Sequence, residues 1–320
     1  MCGEGGVVLI TYLNMKTFCD LLKEKGCEEN LFAVLGSLKD AAKAITEKIR
    51  TADTGKAGSS NVYGEEQLAL DVLADKLIQE ECGKNPAIGL LASEELPDEI
   101  KIGDGEFAVA YDPLDGSSLV DVNLAVGTIY SVYKLGENEG RKSFVGVKGD
   151  DMLASMIVVY GPRTTILLAL KDADGVCELT LKEGKFVLTN DDVKVGEGKM
   201  FSPGNLRAAS ELPKYVELMD YWMKEQYTLR YSGGMVPDIN QILLKGKGIF
   251  SYPPYSKHPN GKLRLLFECA PMSLLMEKAG GASSDGKMRI LEKTLEELEQ
   301  RTPIYIGSKD EVNRCLEYLS

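Results

Sequence analysis

The run Phe107-Ala108-Val109-Ala110-Tyr111 passes directly into Asp112-Pro113-Leu114-Asp115-Gly116-Ser117-Ser118, and no other stretch constrains the fold as tightly. The unbroken apolar run reads as a buried strand. Asp112 and Asp115 then place hard oxygen ligands at its end. Pro113 fixes its own φ and donates no N–H, so the two aspartates can turn toward one point and the Leu114 carbonyl is freed. Small residues follow whose backbone N–H groups can approach an anion. The arrangement suits cation-assisted phosphate chemistry. Taken alone, the same letters are also good turn chemistry between two strands.

Further acids sit at comparable places. Glu94 and Glu95 follow the apolar run 88–92, and adjacent carboxylates repel unless a cation or water screens them. Glu65 and Asp71 flank the start of a helical pattern carried by Leu68, Val72 and Leu77. Glu268 follows the strand-like run Leu263-Arg264-Leu265-Leu266-Phe267. Any one of these reads as a solvated charge; together, three of them on strand exits, they fit a site for two or three metal ions.

The strings SEE (93–95), DPLDGSS (112–118) and KLRLLFE (262–268) resemble the sugar-bisphosphatases of the fructose-1,6-bisphosphatase family. The DPLDG core is shared with inositol monophosphatases. YGPRTT (160–165), FSPGNLRA (201–208) and LRYSGGMVPDINQ (229–241) resemble the sedoheptulose-1,7-bisphosphatase branch. Tyr252-Pro253 and the segment from Glu268 to Ser273 look more like the fructose-bisphosphatase branch. The resemblance runs from about Leu31 to the C-terminus.

It implies a mixed α/β fold layered α-β-α-β-α, and a phosphatase acting on the 1-phosphate of a sugar bisphosphate with Mg²⁺, or Mn²⁺, as two to three ions per subunit. It assigns Glu94, Asp112, the Leu114 carbonyl, Asp115 and Glu268 as metal ligands, with Glu65 supporting a further ion. Asp71 and Glu95 orient or deprotonate the attacking water. The N–H groups of Gly116, Ser117 and Ser118 hold the scissile phosphate. Asn205, Arg207, Arg230, Tyr231, Tyr252, Lys262 and Arg264 form the sugar and distal-phosphate pocket. Arg230 is expected to reach a neighbouring subunit's site, which implies a homodimer or homotetramer. In chloroplast relatives the segment matching 50–61 carries a redox cysteine pair; here those positions are Thr54 and Ser59, so thiol control through that loop is lost.

Composition agrees. A chain of 320 residues can bury a large core. A net charge of −12 argues against a nucleic-acid partner, which calls for a basic face. An acidic protein that binds an anionic sugar phosphate needs cations and a local basic pocket, for which Arg163 is a further candidate. No run approaches the ~18 apolar residues of a membrane span. Val7 to Leu13 is short and preceded by Glu4, unlike a signal peptide. The seven scattered cysteines, an odd number without a CxxC, read as reduced thiols of a cytoplasmic protein. His258, the only histidine, lies in a polar loop next to Pro259 and is expected to be exposed rather than catalytic.

Apolar spacing of three and four from Leu31 to Ile49 predicts a helix capped by Asn30. Residues 51–63 read as a loop before a helix over 68–81. Strands are expected over 88–92, 107–111, 126–133, 144–147, 154–160 and 165–171, with a hairpin turning at Glu183-Gly184 between 176–181 and 185–188. Helices are expected over 212–224, 237–243, 270–279 and 309–319, the third ending at Gly280-Gly281. A division at Gly161-Pro162 gives a metal-binding half, 1–161, and a sugar-phosphate half, 162–320.

Overall fold

The strands Phe107–Asp115, Ala154–Tyr160 and Thr164–Leu170 are buried at every residue, so the sheet they share is covered on both faces. That is why they read as unbroken apolar runs. The computed structural model describes residues 15–51, 56–60, 66–134 and 143–319, with backbone alone for 56–60 and 66–68.

Among the described residues the main sheet has eight strands, in the spatial order Lys185–Val193, Val176–Lys182, Thr164–Leu170, Ala154–Tyr160, Val126–Lys134, Phe107–Asp115, Ile88–Ser93 and Ile100–Lys101. Neighbours are antiparallel except Ile88–Ser93 and Phe107–Asp115, which run parallel. A second sheet holds Thr228–Leu229, Met200–Pro203, Ile249–Tyr252, Ile304–Gly307 and Ala282–Ser284.

Helices Phe18–Glu24, Glu29–Ile49 and Ala69–Cys82 cover the outer face of the first sheet through Leu35, Leu38 and Ile78. Helices Met235–Lys245 and Ala270–Lys278 fill the space between the sheets, where Ile239 and Leu275 share one core with Ala108, Ala110, Phe250 and Ile306. Pro213–Lys224 and Lys309–Leu319 cover the far side through Tyr215, Trp222 and Val312. The expected α-β-α-β-α layering is observed.

Several expectations are corrected. Gly161-Pro162 is a hairpin inside the first sheet, with Tyr160 facing Thr164; the first sheet ends at Val193 and the second begins at Met200. A Gly-Pro turn signal marks any chain reversal, inside a sheet or between units. Residues 144–147 form turns rather than a strand. Asn30 lies inside the helix that Glu28 precedes, and the cap makes no side-chain hydrogen bond. Residues 56–60, within the expected loop, pair as a strand with Glu66–Leu68. Only Leu263–Arg264 of the strand-like run is strand; Leu265–Cys269 is a π-helical turn leading into Ala270–Lys278. A short buried apolar run carries no periodicity that separates strand from helix. The Glu183-Gly184 turn appears as expected, with φ of 48° and 78°.

One glycine sets how closely the layers approach. A Cβ on Gly127 would lie 2.3 Å from Val236 Cγ1 and 2.5 Å from the Val158 carbonyl oxygen. Gly127 pairs with Asp115 across the strands, so this contact also sets the height of the helix start over Asp115. Gly127→Ala should cost about 1–3 kcal/mol of stability, the usual penalty for overpacking. Urea unfolding checks this; an unchanged midpoint would show that the helix can lift without loss.

Candidate active site

Asp112 and Asp115 are three residues apart, and in a regular strand an odd spacing puts side chains on opposite faces. The strand escapes this rule by a bulge. Asp112 pairs with Ile129 and Asp115 with Gly127, so three steps on one strand oppose two on the other. The extra residue in the Pro113-Leu114 bulge turns both carboxylates to one side. Leu114 N–H donates to Asp112 Oδ1 at 2.9 Å, and Thr128 Oγ1 donates to the Pro113 carbonyl at 2.9 Å, holding the bulge from both sides.

Each acid has its own support. Asp115 accepts from Met235 N–H at 3.3 Å and Val236 N–H at 2.6 Å, at the start of helix Met235–Lys245. There the unpaired N–H groups and the helix dipole favour a carboxylate. Glu268, in the π-helical turn, accepts from Arg264 N–H at 2.6 Å. Wide turns of this kind are frequent at functional sites. Glu94 N–H donates to the Tyr111 carbonyl at 3.0 Å, which keeps the two strand ends in step.

Carboxylate oxygens of Asp112, Asp115 and Glu268 lie within 4.8 Å of one another, and all three residues are buried. Burial, with Glu94 and Asp115 beside it, raises the Asp112 pKa well above the ordinary carboxylate range. Burial lifts Asp115 to about 7, against the pull of the Val236 and Met235 N–H groups. Burial and the Glu94 charge lift Glu268 to about 8. Hard oxygen donors gathered this closely, and raised in pKa by their burial and mutual repulsion, fit a divalent cation.

A cleft of about 590 Å³ opens over these acids. Its walls include Asp71, Glu94, Glu95, Asp112, Leu114, Asp115, Gly116, Ser117, Ser118 and Glu268, together with Asn205, Arg207, Tyr231, Tyr252, Lys262 and Arg264. Gly116 takes φ of 74° ahead of the 3-10 turn Ser117–Val122, and its Cα side packs against Gly234. Asn205 is fixed by donating to the Pro253 carbonyl at 2.9 Å, and Tyr231 OH donates to the Gly204 carbonyl at 3.0 Å.

Glu65 lies outside the described residues. Arg230 is exposed and does not line the cleft. Arg163 lies away from it, 3.9 Å from Glu178. Arg264 reaches the cleft, but its buried guanidinium is ion-paired with Glu94 and, at 2.9 Å, with Glu299. His258 packs on the Tyr255 ring outside the cleft. Sequence reasoning missed Arg301, which lines the cleft and donates to the Lys262 carbonyl. It also missed the Met235 and Val236 N–H groups, although they lie within the segment 229–241 that carries the resemblance.

Residues 17–191 match the family described as fructose-1-6-bisphosphatase, N-terminal domain, and residues 195–320 match its C-terminal domain. The chain belongs to the fructose-1,6-bisphosphatase family. Family members are sugar-bisphosphate phosphatases and depend on metal ions. The boundary between the two matches falls where the first sheet ends. The chain is 48% identical over 296 residues to a chloroplastic sedoheptulose-1,7-bisphosphatase of Triticum aestivum, covering 91% of this chain and 74% of that one. It is 45% identical over 304 residues to a class 1 fructose-1,6-bisphosphatase of Trichlorobacter lovleyi, covering 93% of each. The holo-form structure of Leishmania major fructose-1,6-bisphosphatase superposes with a TM-score of 0.90 at 31% identity, covering 95% of this chain and 98% of that one. Among the described residues no helix is long and apolar enough to cross a membrane.

The raised carboxyl pKa values make a stability prediction for family members of this build. Without a cation, Asp115 and Glu268 hold their protons more tightly folded than unfolded. Their contribution is therefore full below the ordinary carboxylate range and is lost as the pH rises through about 7 to 8. Chelator-treated protein should lose Tm from about pH 5 to about pH 8, and millimolar Mg²⁺ should flatten that slope. Differential scanning calorimetry at several pH values checks it; identical slopes with and without cation would remove these acids from the cation site.

Proposed function

We propose that this protein hydrolyses the 1-phosphate of sedoheptulose 1,7-bisphosphate to give sedoheptulose 7-phosphate and phosphate. The observation that carries the reading is one cleft lined both by a buried carboxylate cluster and by Arg207, Lys262 and two tyrosines. Glu94, Asp112, the Leu114 carbonyl, Asp115 and Glu268 would hold two Mg²⁺ ions, and Glu65 would support a third. When bound, the cations neutralise the phosphate and make water a stronger nucleophile. Asp71 and Glu95 orient that water and take its proton. The N–H groups of Gly116, Ser117 and Ser118 hold the oxygens of the departing phosphate. Arg207 and Lys262 grip the distal phosphate, and Tyr231 and Tyr252 cover the sugar. Arg264, which lines the same cleft, would steady Glu94 through their ion pair. Arg230, exposed beside Tyr231 and next to the exposed Leu229, would reach the site of a second copy, so the reading includes a homo-oligomer.

A preference for fructose 1,6-bisphosphate, or dual activity, is the second reading, favoured by the 45% identity to a class 1 fructose-1,6-bisphosphatase and by the Glu268–Ser273 segment. The reacting ends of the two substrates are alike, so discrimination falls to the distal grip. One CHOH group in a fitted pocket is worth about 1–3 kcal/mol, or roughly ten- to two-hundredfold in kcat/KM. Steady-state kcat/KM for both bisphosphates should favour the seven-carbon sugar within that range. Arg207→Ala should weaken the longer substrate more than the shorter. The reverse preference establishes the second reading, and no phosphate release from either sugar overturns both.

A further inference from the structure

We infer that Asp75, behind the cleft and absent from its lining, is the positioning residue that locks the three acid-bearing elements together. Asp75 lies one helical turn after Asp71 on helix Ala69–Cys82, so the two share a face. Its side chain is buried, 8% exposed. Asp75 Oδ1 accepts from Ser93 Oγ at 2.7 Å and from Tyr111 OH at 2.9 Å. Asp75 Oδ2 accepts from Gln79 Nε2 at 2.6 Å. Ser93 immediately precedes Glu94 and Glu95, and its Oγ accepts from Glu95 N–H at 3.3 Å. Tyr111 immediately precedes Asp112. One carboxylate thus joins the helix of Asp71, the strand end of Glu94 and Glu95, and the strand of Asp112.

These contacts use both oxygens of a buried acid and leave no group facing the cleft. An apolar side chain here would leave the buried Ser93 and Tyr111 hydroxyls without their acceptor, and the helix would be free to slide relative to the strand ends. Displacements of about 1 Å in a catalytic array cost on the order of a hundredfold. Asparagine keeps the geometry: its Oδ1 still accepts from Ser93 and Tyr111, and the Gln79 amide turns over to accept from its Nδ2. Position rather than charge is therefore the property at stake.

This inference rests on the proposed bisphosphatase reading, and the experiment separates the two. Purified Asp75→Ala and Asp75→Asn proteins are compared with the wild type for kcat, KM and half-saturating Mg²⁺ on sedoheptulose and fructose bisphosphates. Mn²⁺ binding is followed by isothermal calorimetry without substrate. Asp75→Ala should lose at least about tenfold in kcat with KM within about threefold, and should bind Mn²⁺ at least about fivefold more weakly. Asp75→Asn should stay within about threefold of wild type in each quantity. If Asp75→Ala does not fold, the Ser93→Ala, Tyr111→Phe double variant removes the two inter-element bonds and should show the same split. A folded Asp75→Ala, or the double variant in its stead, with wild-type kcat and Mn²⁺ affinity overturns the inference. So does an Asp75→Asn as impaired as Asp75→Ala, which would make the charge itself the requirement. Inactive wild type that still binds Mn²⁺, with that binding lost in Asp75→Ala, would sink the bisphosphatase reading while leaving the positioning role standing.

Discussion

On the proposed ligand assignment, Asp115→Asn and Glu94→Gln should each lower kcat at least about a hundredfold, because each would remove a charge facing the cation that stabilises the transition state. Asp115 is the sharper case. It is held by the Met235 and Val236 N–H groups, so the amide faces two donors where the carboxylate offered two acceptors. The variant therefore loses both the ligand charge and a part of its own anchor. Phosphate release at saturating Mg²⁺ is the measurement, and retention of more than about a tenth of wild-type kcat by either variant would sink the ligand assignment. Chelator should abolish wild-type turnover, and Mg²⁺ should restore it.

Arg264→Leu should destabilise the protein by about 3–5 kcal/mol, the cost of breaking a buried ion pair by removing one partner. The side chain of Arg264 is 4% exposed, Glu94 16% and Glu299 25%, so water does little to screen what is left behind. Glu94 then stands with Asp112, Asp115 and Glu268 without the guanidinium that paired it. Divalent metal should recover part of the loss, since it supplies the missing positive charge. Urea unfolding with and without Mg²⁺ gives both numbers. A loss below about 1 kcal/mol would mean that the guanidinium contributes no more than a surface pair. A large rise in KM at unchanged stability would return Arg264 to the substrate pocket.

The acids of the cleft were legible because each follows an apolar run: Glu94 after 88–92, and Asp112 after Phe107 to Tyr111. Buried strands with polar exits make a strong local signal, and the strands through the middle of the first sheet were legible for the same reason. The second sheet was not. Its strands Thr228–Leu229, Met200–Pro203 and Ala282–Ser284 are too short to show a period. The π-helical turn at Leu265–Cys269 was hidden because every residue in it is buried, and complete burial erases the alternation that separates strand from helix. The pairing of Arg264 was illegible for a different reason. A basic residue next to a metal-ligand acid reads equally as a phosphate grip and as that acid's countercharge, and only the position of Glu299, thirty-five residues later, separates the two.

The sequence alone determined the chemistry: which acids are available, that they sit at strand ends, and that an Asp-Pro-Leu-Asp-Gly segment must turn. Those are local properties, fixed by side-chain type and by the φ restriction of proline. The tertiary structure decided where the charges cancel. The bulge that brings Asp112 and Asp115 to one side exists only in register with Val126–Lys134. The helix start that holds Asp115 comes from about 120 residues away in the chain, through a gap that Gly127 keeps open. Such pairings depend on which surfaces pack together, and no window of sequence contains both partners.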